Sequence, residues 1–463
     1  MSASELAAQV MEALDVDTDE FASRVEAETE ALKAEIESGT FDNPQAIIGL
    51  EYEFYAVDAE TDALMRVPRR LLEYIGFEKE LGLHNAELST TPQPLSRYGL
   101  RAQESEVQAK LAAARTEVAR EGMALLSDGL WTVPPIGETA SEYLTNSIEQ
   151  DGMRMATNMS RAVRYHAMAN TDYAAELQLE APHVSLSADT VMPESLITSI
   201  QPHYQVAHAG DLPENFRYAL RIAGPLLAVA VNSPFFPPDL YDEDGETVLE
   251  ECWMENRVPV FESVLNPTDA EKVTFPEDID DIDEAIQRIA EDATVVPAEL
   301  DPSGRFDDEF AHFRHTHGSF WRWVRPVFDG STRTSANARI EFRPLPGQPT
   351  VRGTISLLAV FAGLMESLPR REHPVFDQPW ETAEANFYRA VRDGLEADLE
   401  WVTAAGTETT DTDELYAELF ELARDGLELR GFDAAEANRY IQPLRERVDR
   451  RMTPARWKHD RVR

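Results

Sequence analysis

The 463-residue chain contains a single cysteine, Cys252, so no internal disulfide is available to it. Positive charge is also scarce. Lys and Arg total 42 against 85 Asp and Glu, a formal net charge of -43. Such a chain repels polyphosphates and anionic bilayers, which excludes nucleic acid and membrane surfaces as expected partners. No stretch is read as approaching the ~20 apolar residues that span a bilayer. The N-terminal residues lack the basic start and apolar core of a secretory signal, so a soluble, cytoplasmic protein is expected. Internal repeats and low-complexity tracts are missing too. What remains is a chain with 43% hydrophobic residues, enough for a sizeable core in one large domain or two. The acid excess is spread over the whole length and suits a high-salt cytoplasm, where ions screen self-repulsion.

The apolar pattern divides the chain into three parts: a helical N-terminal extension over 1–45, a central body over 46–375 and an acidic helical C-terminal region over 376–463. Residues 2 to about 38 carry helical periodicity, and "FDNPQA" ends it. Strands are expected at "IIGLEYEFYAV", "HNAELSTTPQP", "HVSLSA", "HYQVAHA" and "ANARIEFRPLP". Helices are expected over 101–126, through "NFRYALRIAGPLLAVAVN", within 276–293, over 351–368 and from about 380 onward, with a mostly helical stretch up to about 175. Irregular alternation without a βαβ period predicts an α+β fold.

Four of these strands carry polar groups at positions i and i+2, which share one face of a strand. Glu51 and Glu53 stand in the first strand, Glu87 precedes "LSTTP", His203 and Gln205 form a pair, and Arg339, Glu341 and Arg343 alternate in "RIEFR". Two buried like charges on one face are costly. Either that face is wet or a cation sits on it. A single strand of this kind is ordinarily the solvent side of an antiparallel sheet; four together describe the wall of a polar cleft. Clustered carboxylates suit a hard cation such as Mg²⁺, and arginines suit carboxylate or phosphate oxygens.

Taken in order, "GLEYEF", "AELSTTP", Arg164 with Tyr165, "HYQVAHA", "VNSPFF" and "RIEFRPLPGQP" resemble the glutamate–cysteine ligase family, carboxylate–amine ligases of the glutamine synthetase superfamily, over roughly residues 46 to 370. The resemblance implies a glutamine synthetase-like fold in which a curved, mainly antiparallel sheet forms a polar cleft with helices outside. It implies Mg²⁺, with Mn²⁺ as substitute, on Glu51, Glu53, Glu87 and Glu341. It also implies ATP at Gln205, His203 and Arg257, and catalytic roles for Arg343 and Arg339 toward phosphate or substrate carboxylate. The implied reaction phosphorylates an acid, by expectation the γ-carboxylate of glutamate, and lets an amine such as that of cysteine displace phosphate. Small-molecule substrates are the expected partners; acceptor amine and oligomeric state are left open. Two alternatives stay open: another acid or amine on the same scaffold, or a non-catalytic relative that binds nucleotide or amino acid. Cys252 is expected to be a small buried apolar residue, and His183 structural. His312, His315 and His317, in "HFRHTHGSFWRWVRP", are read as part of a basic aromatic wall near substrate rather than as a transition-metal site.

Overall fold

A computed structural model describes residues 2–174, 177–267, 271–301 and 303–462. Its centre is a seven-stranded sheet of β1 Ile47–Asp58, β2 Asn85–Ser89, β3 Gln93–Pro94, β4 Met123–Leu126, β5 Ile200–Gln205, β6 Val324–Asp329 and β7 Asn337–Phe342. The order is β6-β7-β5-β1-β2, with β3 and β4 also on β1, and every pairing is antiparallel. The alternation in "IIGLEYEF" follows from this placement. Ile48, Leu50, Tyr52 and Phe54 turn to the back of the sheet and are buried, while Gly49, Glu51 and Glu53 turn to the front.

The helices that position this sheet are α1 Ala3–Leu14, α2 Thr18–Glu37, α3 Arg97–Val118, α4 Leu212–Ala230, α5 Arg257–Leu265, α6 Val351–Arg370, α7 Trp380–Asp393, α8 Thr412–Leu429, α9 Ala434–Asp449 and α10 Pro454–Val462. Apolar helices α4 and α6 lie against the back of β5, β6 and β7. α6 and α8 cross so closely that a Cβ on Gly426 would stand 1.8 Å from the Gly363 carbonyl oxygen, which only glycine permits. One continuous apolar cluster runs from Leu6 and Leu32 of the N-terminal helices through the sheet to Leu415 and Leu444 near the C-terminus. The N-terminal helices are also tied down by charge: Glu28 of α2 accepts from His312 Nδ1 at 2.7 Å, and Glu35 pairs with Arg333 at 2.6 Å through both guanidinium nitrogens.

Three expectations need correction. The helix expected over 101–126 ends at Val118; Gly122 turns the chain at φ +73°, and Met123–Leu126 adds a strand beside Tyr55–Asp58, where Met123 and Leu125 are buried. The stretch up to 175 is less helical than its pattern suggests. Asp151-Gly152, both at positive φ, makes a hairpin of Ser147–Gln150 and Met153–Ala156, as Asp-Gly between strand-like runs does. Finally, α6 is long and apolar enough to cross a bilayer, but 89% of its most apolar window is buried inside the protein, where it serves as a core helix.

Candidate active site

Sheet register gathers the strand residues on one front face. Glu53 stands opposite Glu87, and Glu51 opposite both Ser89 and Gln201. His203 is opposite Glu341, Gln205 opposite Arg339, and Arg325 of β6 opposite Glu341. Eight of the nine sequence-predicted residues therefore belong to one surface. The ninth, Arg257, stands off the sheet at the start of α5. Its side chain is 3% exposed, donates to the carbonyls of Arg343 and Pro344, and stacks over Trp323 at 5.0 Å. It lines neither cavity described below and instead holds the chain just past β7.

Two cavities open on this face and meet at Glu51. The smaller, about 250 Å³, is lined by Glu51, Glu53, Glu80, Glu87 and Glu194 against only three arginines, Arg164, Arg325 and Arg343. The larger, about 590 Å³, is polar and hydroxyl-rich, with His203, Gln205 and Arg339 beside Ser331, Thr334 and Ser335 of the β6–β7 connection. Glu51 belongs to both and pairs with His203 Nε2 at 3.3 Å.

Each strand residue is held by a specific partner. Glu53 accepts from the Ser199 backbone N–H at 2.6 Å, from the Ser199 hydroxyl at 3.0 Å and from Gln201 Nε2 at 3.0 Å. Ser89 donates to Glu87 at 3.0 Å. Glu341 is gripped by Arg325 at 3.0 Å and Arg343 at 3.4 Å. Arg343 also stacks over Phe261 at 5.2 Å. Arg339 reaches Asp329 at 3.2 Å and His203 Nδ1 at 3.4 Å. Gln205 donates to the Gln45 carbonyl at 2.7 Å, which joins the N-terminal segment to the wall of the larger cavity.

The electrostatics of the two sides differ. Burial, and then the charge of Glu80, push Glu53 up to about 7. Burial followed by Glu51 and Glu80 raises Glu87 well above the carboxylate range, and Glu80, also raised by burial, shares a hydrogen bond with it. Glu194 is pushed up to about 8 by burial and then by Glu53 and Glu80. Burial also works against the charged form of Glu341, but Arg325, His203 and Arg343 overcome it and hold that carboxyl well below the usual range. The acidic cavity thus crowds carboxyl groups whose burial and mutual repulsion favour the protonated form, whereas Glu341 is already compensated by its arginines. Among the described residues no three His, Cys, Asp or Glu side chains stand at metal-ligand spacing.

The other singled-out residues resolve individually. His312 bonds Glu28, His315 the Val296 carbonyl at 2.7 Å and His317 the Pro326 carbonyl at 2.9 Å, three separate partners. Gly318, Trp321 and Arg325 of the same segment do line the acidic cavity. His183 occupies a tight turn at φ +60° and pairs with Glu251 at 3.0 Å. Cys252 is only half-buried and lines neither cavity. Sequence reasoning missed Glu80 and Glu194, which come from a loop and a short 3-10 turn outside any alternating pattern. It placed Arg325 only within the basic aromatic wall of 312–326 and gave it no role of its own, although "VRPVFD" is a strand whose Arg325 faces as Glu341 does.

A family model described as glutamate–cysteine ligase family 2 matches residues 47–463, so the match runs through the C-terminal helices as well. No curated protein matches the sequence. Among solved structures, the fold is similar to that of a bifunctional glutathione synthetase from Pasteurella multocida, with 14% identity and a TM-score of 0.51 over 94% of this chain and 52% of that one. The chain thus spans about half the length of that protein. A glutamate–cysteine ligase from Francisella tularensis, in complex with AMP, aligns at 11% identity and a TM-score of 0.48 over 91% of this chain and 88% of that one.

Proposed function

The chain belongs to glutamate–cysteine ligase family 2, and from that membership we propose an ATP-dependent carboxylate–amine ligase that activates the γ-carboxylate of glutamate, or a related acid, as an acyl phosphate. The observation that carries the reading is the junction at Glu51 of an acidic cavity and a larger hydroxyl-rich one on a single sheet face. Phosphoryl transfer asks mainly for positioning and charge neutralisation, and no side-chain nucleophile is needed. The larger cavity, with His203, Gln205 and Arg339, takes the nucleotide; the acidic cavity takes the reacting carboxylate and the amine.

The donor chemistry of the acidic cavity suits Mg²⁺, or Mn²⁺ in its place, because carboxylate oxygens are hard ligands and burial beside like groups raises Glu53 and Glu87, a cost that a cation between them would relieve. Glu51, Glu53 and Glu87 would hold it, with Glu341 adjoining through His203. When bound, such a cation neutralises phosphoryl charge. The chain's own residues do the rest. Arg343 and Arg325 stand where negative charge spreads over phosphoryl oxygens, and Glu341 orients both guanidiniums. Arg339 and Gln205 fix the wall of the nucleotide side. Within this reading residues 46–375 form the catalytic body, 1–45 brace its nucleotide wall and 376–463 buttress its back, and the acid excess suits a high-salt cytoplasm.

ADP release across pairs of acids and amines, with Mg²⁺ and molar KCl, tests the proposal. Release that requires both an acid and an amine is expected. ATP binding without any acid-dependent turnover would instead favour a non-catalytic binding relative.

A further inference from the structure

The segment before residue 47 lies outside the stretch that matches the family, yet it reaches the wall of the larger cavity at two points. At the first, the Asn43 and Gln45 carbonyls accept from Gln205 Nε2 at 3.4 and 2.7 Å. The second is Glu35, near the end of α2. Its carboxylate accepts from both terminal nitrogens of Arg333 at 2.6 Å, and the Thr40 hydroxyl donates to the same group at 2.7 Å. Arg333 sits in the middle of the β6–β7 connection. Ser331, Thr334 and Ser335 of that connection line the cavity, whereas Arg333 does not. Arg333 also lies over the Phe306 ring at 4.8 Å, and the Phe306 N–H donates to the Ser331 carbonyl at 3.0 Å. The Thr332 hydroxyl stays within the connection, 3.1 Å from that of Thr334 and 2.9 Å from that of Ser335. The helix that carries Glu35 is firmly mounted. Phe21, Val25, Leu32 and Ile36 of α2 are buried, and Glu28, two turns before Glu35 on the same side, accepts from the backbone N–H groups of His312 and Phe313 at 2.7 and 3.0 Å.

We propose that the Glu35–Arg333 pair positions the nucleotide site from outside it: α2 fixes the β6–β7 connection through this pair, and the connection presents its three hydroxyls to the ligand of the larger cavity. This rests on the placement of ATP in that cavity in the ligase reading above. A two-pronged carboxylate–guanidinium contact sets orientation as well as distance. Hydroxyls held in place before the ligand arrives spare it the cost of ordering them. The Arg333 side chain is half-exposed, so the pair adds little to the stability of the whole chain. Its loss is therefore felt in nucleotide affinity rather than in folding. Neither residue touches the ligand, and both are positioning residues. Affinity for the acid, which binds in the other cavity, does not depend on them.

Calorimetric titration of ATP with Mg²⁺ into the full-length protein, at one fixed KCl concentration, compares the wild type with Glu35→Gln, Arg333→Gln and the double variant. Each single substitution should weaken ATP binding at least about threefold, and the double should weaken it no further than the worse single, because both remove the same contact. KM for glutamate should stay within about twofold of the wild type and Tm within a few degrees. Unchanged ATP affinity in either single variant, losses that add in the double, or an equal rise in KM for glutamate overturns the role of the pair while leaving the ligase standing. The expected pattern of ATP affinities in a protein without acid-dependent ADP release keeps the pair and overturns the ligase. A wild-type protein that does not bind ATP overturns both.

Discussion

Replacing Arg343 by lysine separates a catalytic guanidinium from a structural one. In the protein its Nε lies 3.4 Å from Glu341, its plane stacks over Phe261 at 5.2 Å, and its side chain lines the acidic cavity. Lysine keeps the charge but loses the planar fork and the stacked face. Glu341 is not orphaned by the change, because Arg325 still holds it at 3.0 Å. The stability cost is accordingly that of a weakened cation–π contact and one charge-assisted contact, ~1–2 kcal/mol in total. In a chain of this size that lowers Tm by only a few degrees. The effect on chemistry is larger. If Arg343 supplies oriented donors to phosphoryl oxygens as charge redistributes, turnover falls at least about tenfold, a barrier change of ~1.4 kcal/mol, while KM for ATP shifts by less than about threefold. ADP release at saturating ATP and acid, with Tm measured alongside, reads both numbers. A lowered Tm with unchanged kcat would refute the reasoning and assign Arg343 to packing.

Glu53→Gln should abolish ADP release while the protein still folds cooperatively by thermal melt, since the variant removes a buried charge that Glu80 opposes; wild-type turnover would contradict the role of Glu53. Glu262 accepts from Trp323 Nε1 at 2.7 Å and Tyr388 OH at 2.8 Å, and burial pushes it up to about 7 from an unfolded value of about 4.3. Its contribution to stability is therefore full below the unfolded value and lost as pH rises through about 7, so Glu262→Gln should flatten the decline in Tm between about pH 5 and pH 9; parallel wild-type and variant curves would contradict this. The net charge of -43 predicts that Tm falls when KCl is lowered from about 1 M to about 0.1 M, as the screening length grows from ~3 to ~10 Å; an unchanged Tm would count against the high-salt reading.

The front face of the sheet was legible because strand periodicity carries side-chain direction: Glu51 with Glu53 and Glu341 with Arg343 announce a shared face before any pairing is known. Register then did what periodicity alone does not, setting Glu53 opposite Glu87 and Arg325 opposite Glu341. Glu80 and Glu194 were illegible because no period governs a loop or a single 3-10 turn; they reach the cavity only through tertiary placement. Met123–Leu126 was misread for the opposite reason. Four apolar residues after a long helix continue its pattern, and only the turn at Gly122 and the free edge of β1 make them a strand. Arg257, read as a nucleotide contact, donates to the carbonyls of Arg343 and Pro344, a bracing contact that sequence order does not reveal.

The central claim is that this face forms an acyl phosphate from ATP and an acid. Glutamate labelled with heavy oxygen in its γ-carboxylate, turned over with ATP, Mg²⁺ and an accepted amine, tests it most directly. One labelled oxygen should appear in each inorganic phosphate released, because the acid's oxygen bridges to phosphorus before the amine displaces it. Phosphate that carries no label while amide is formed would contradict the account.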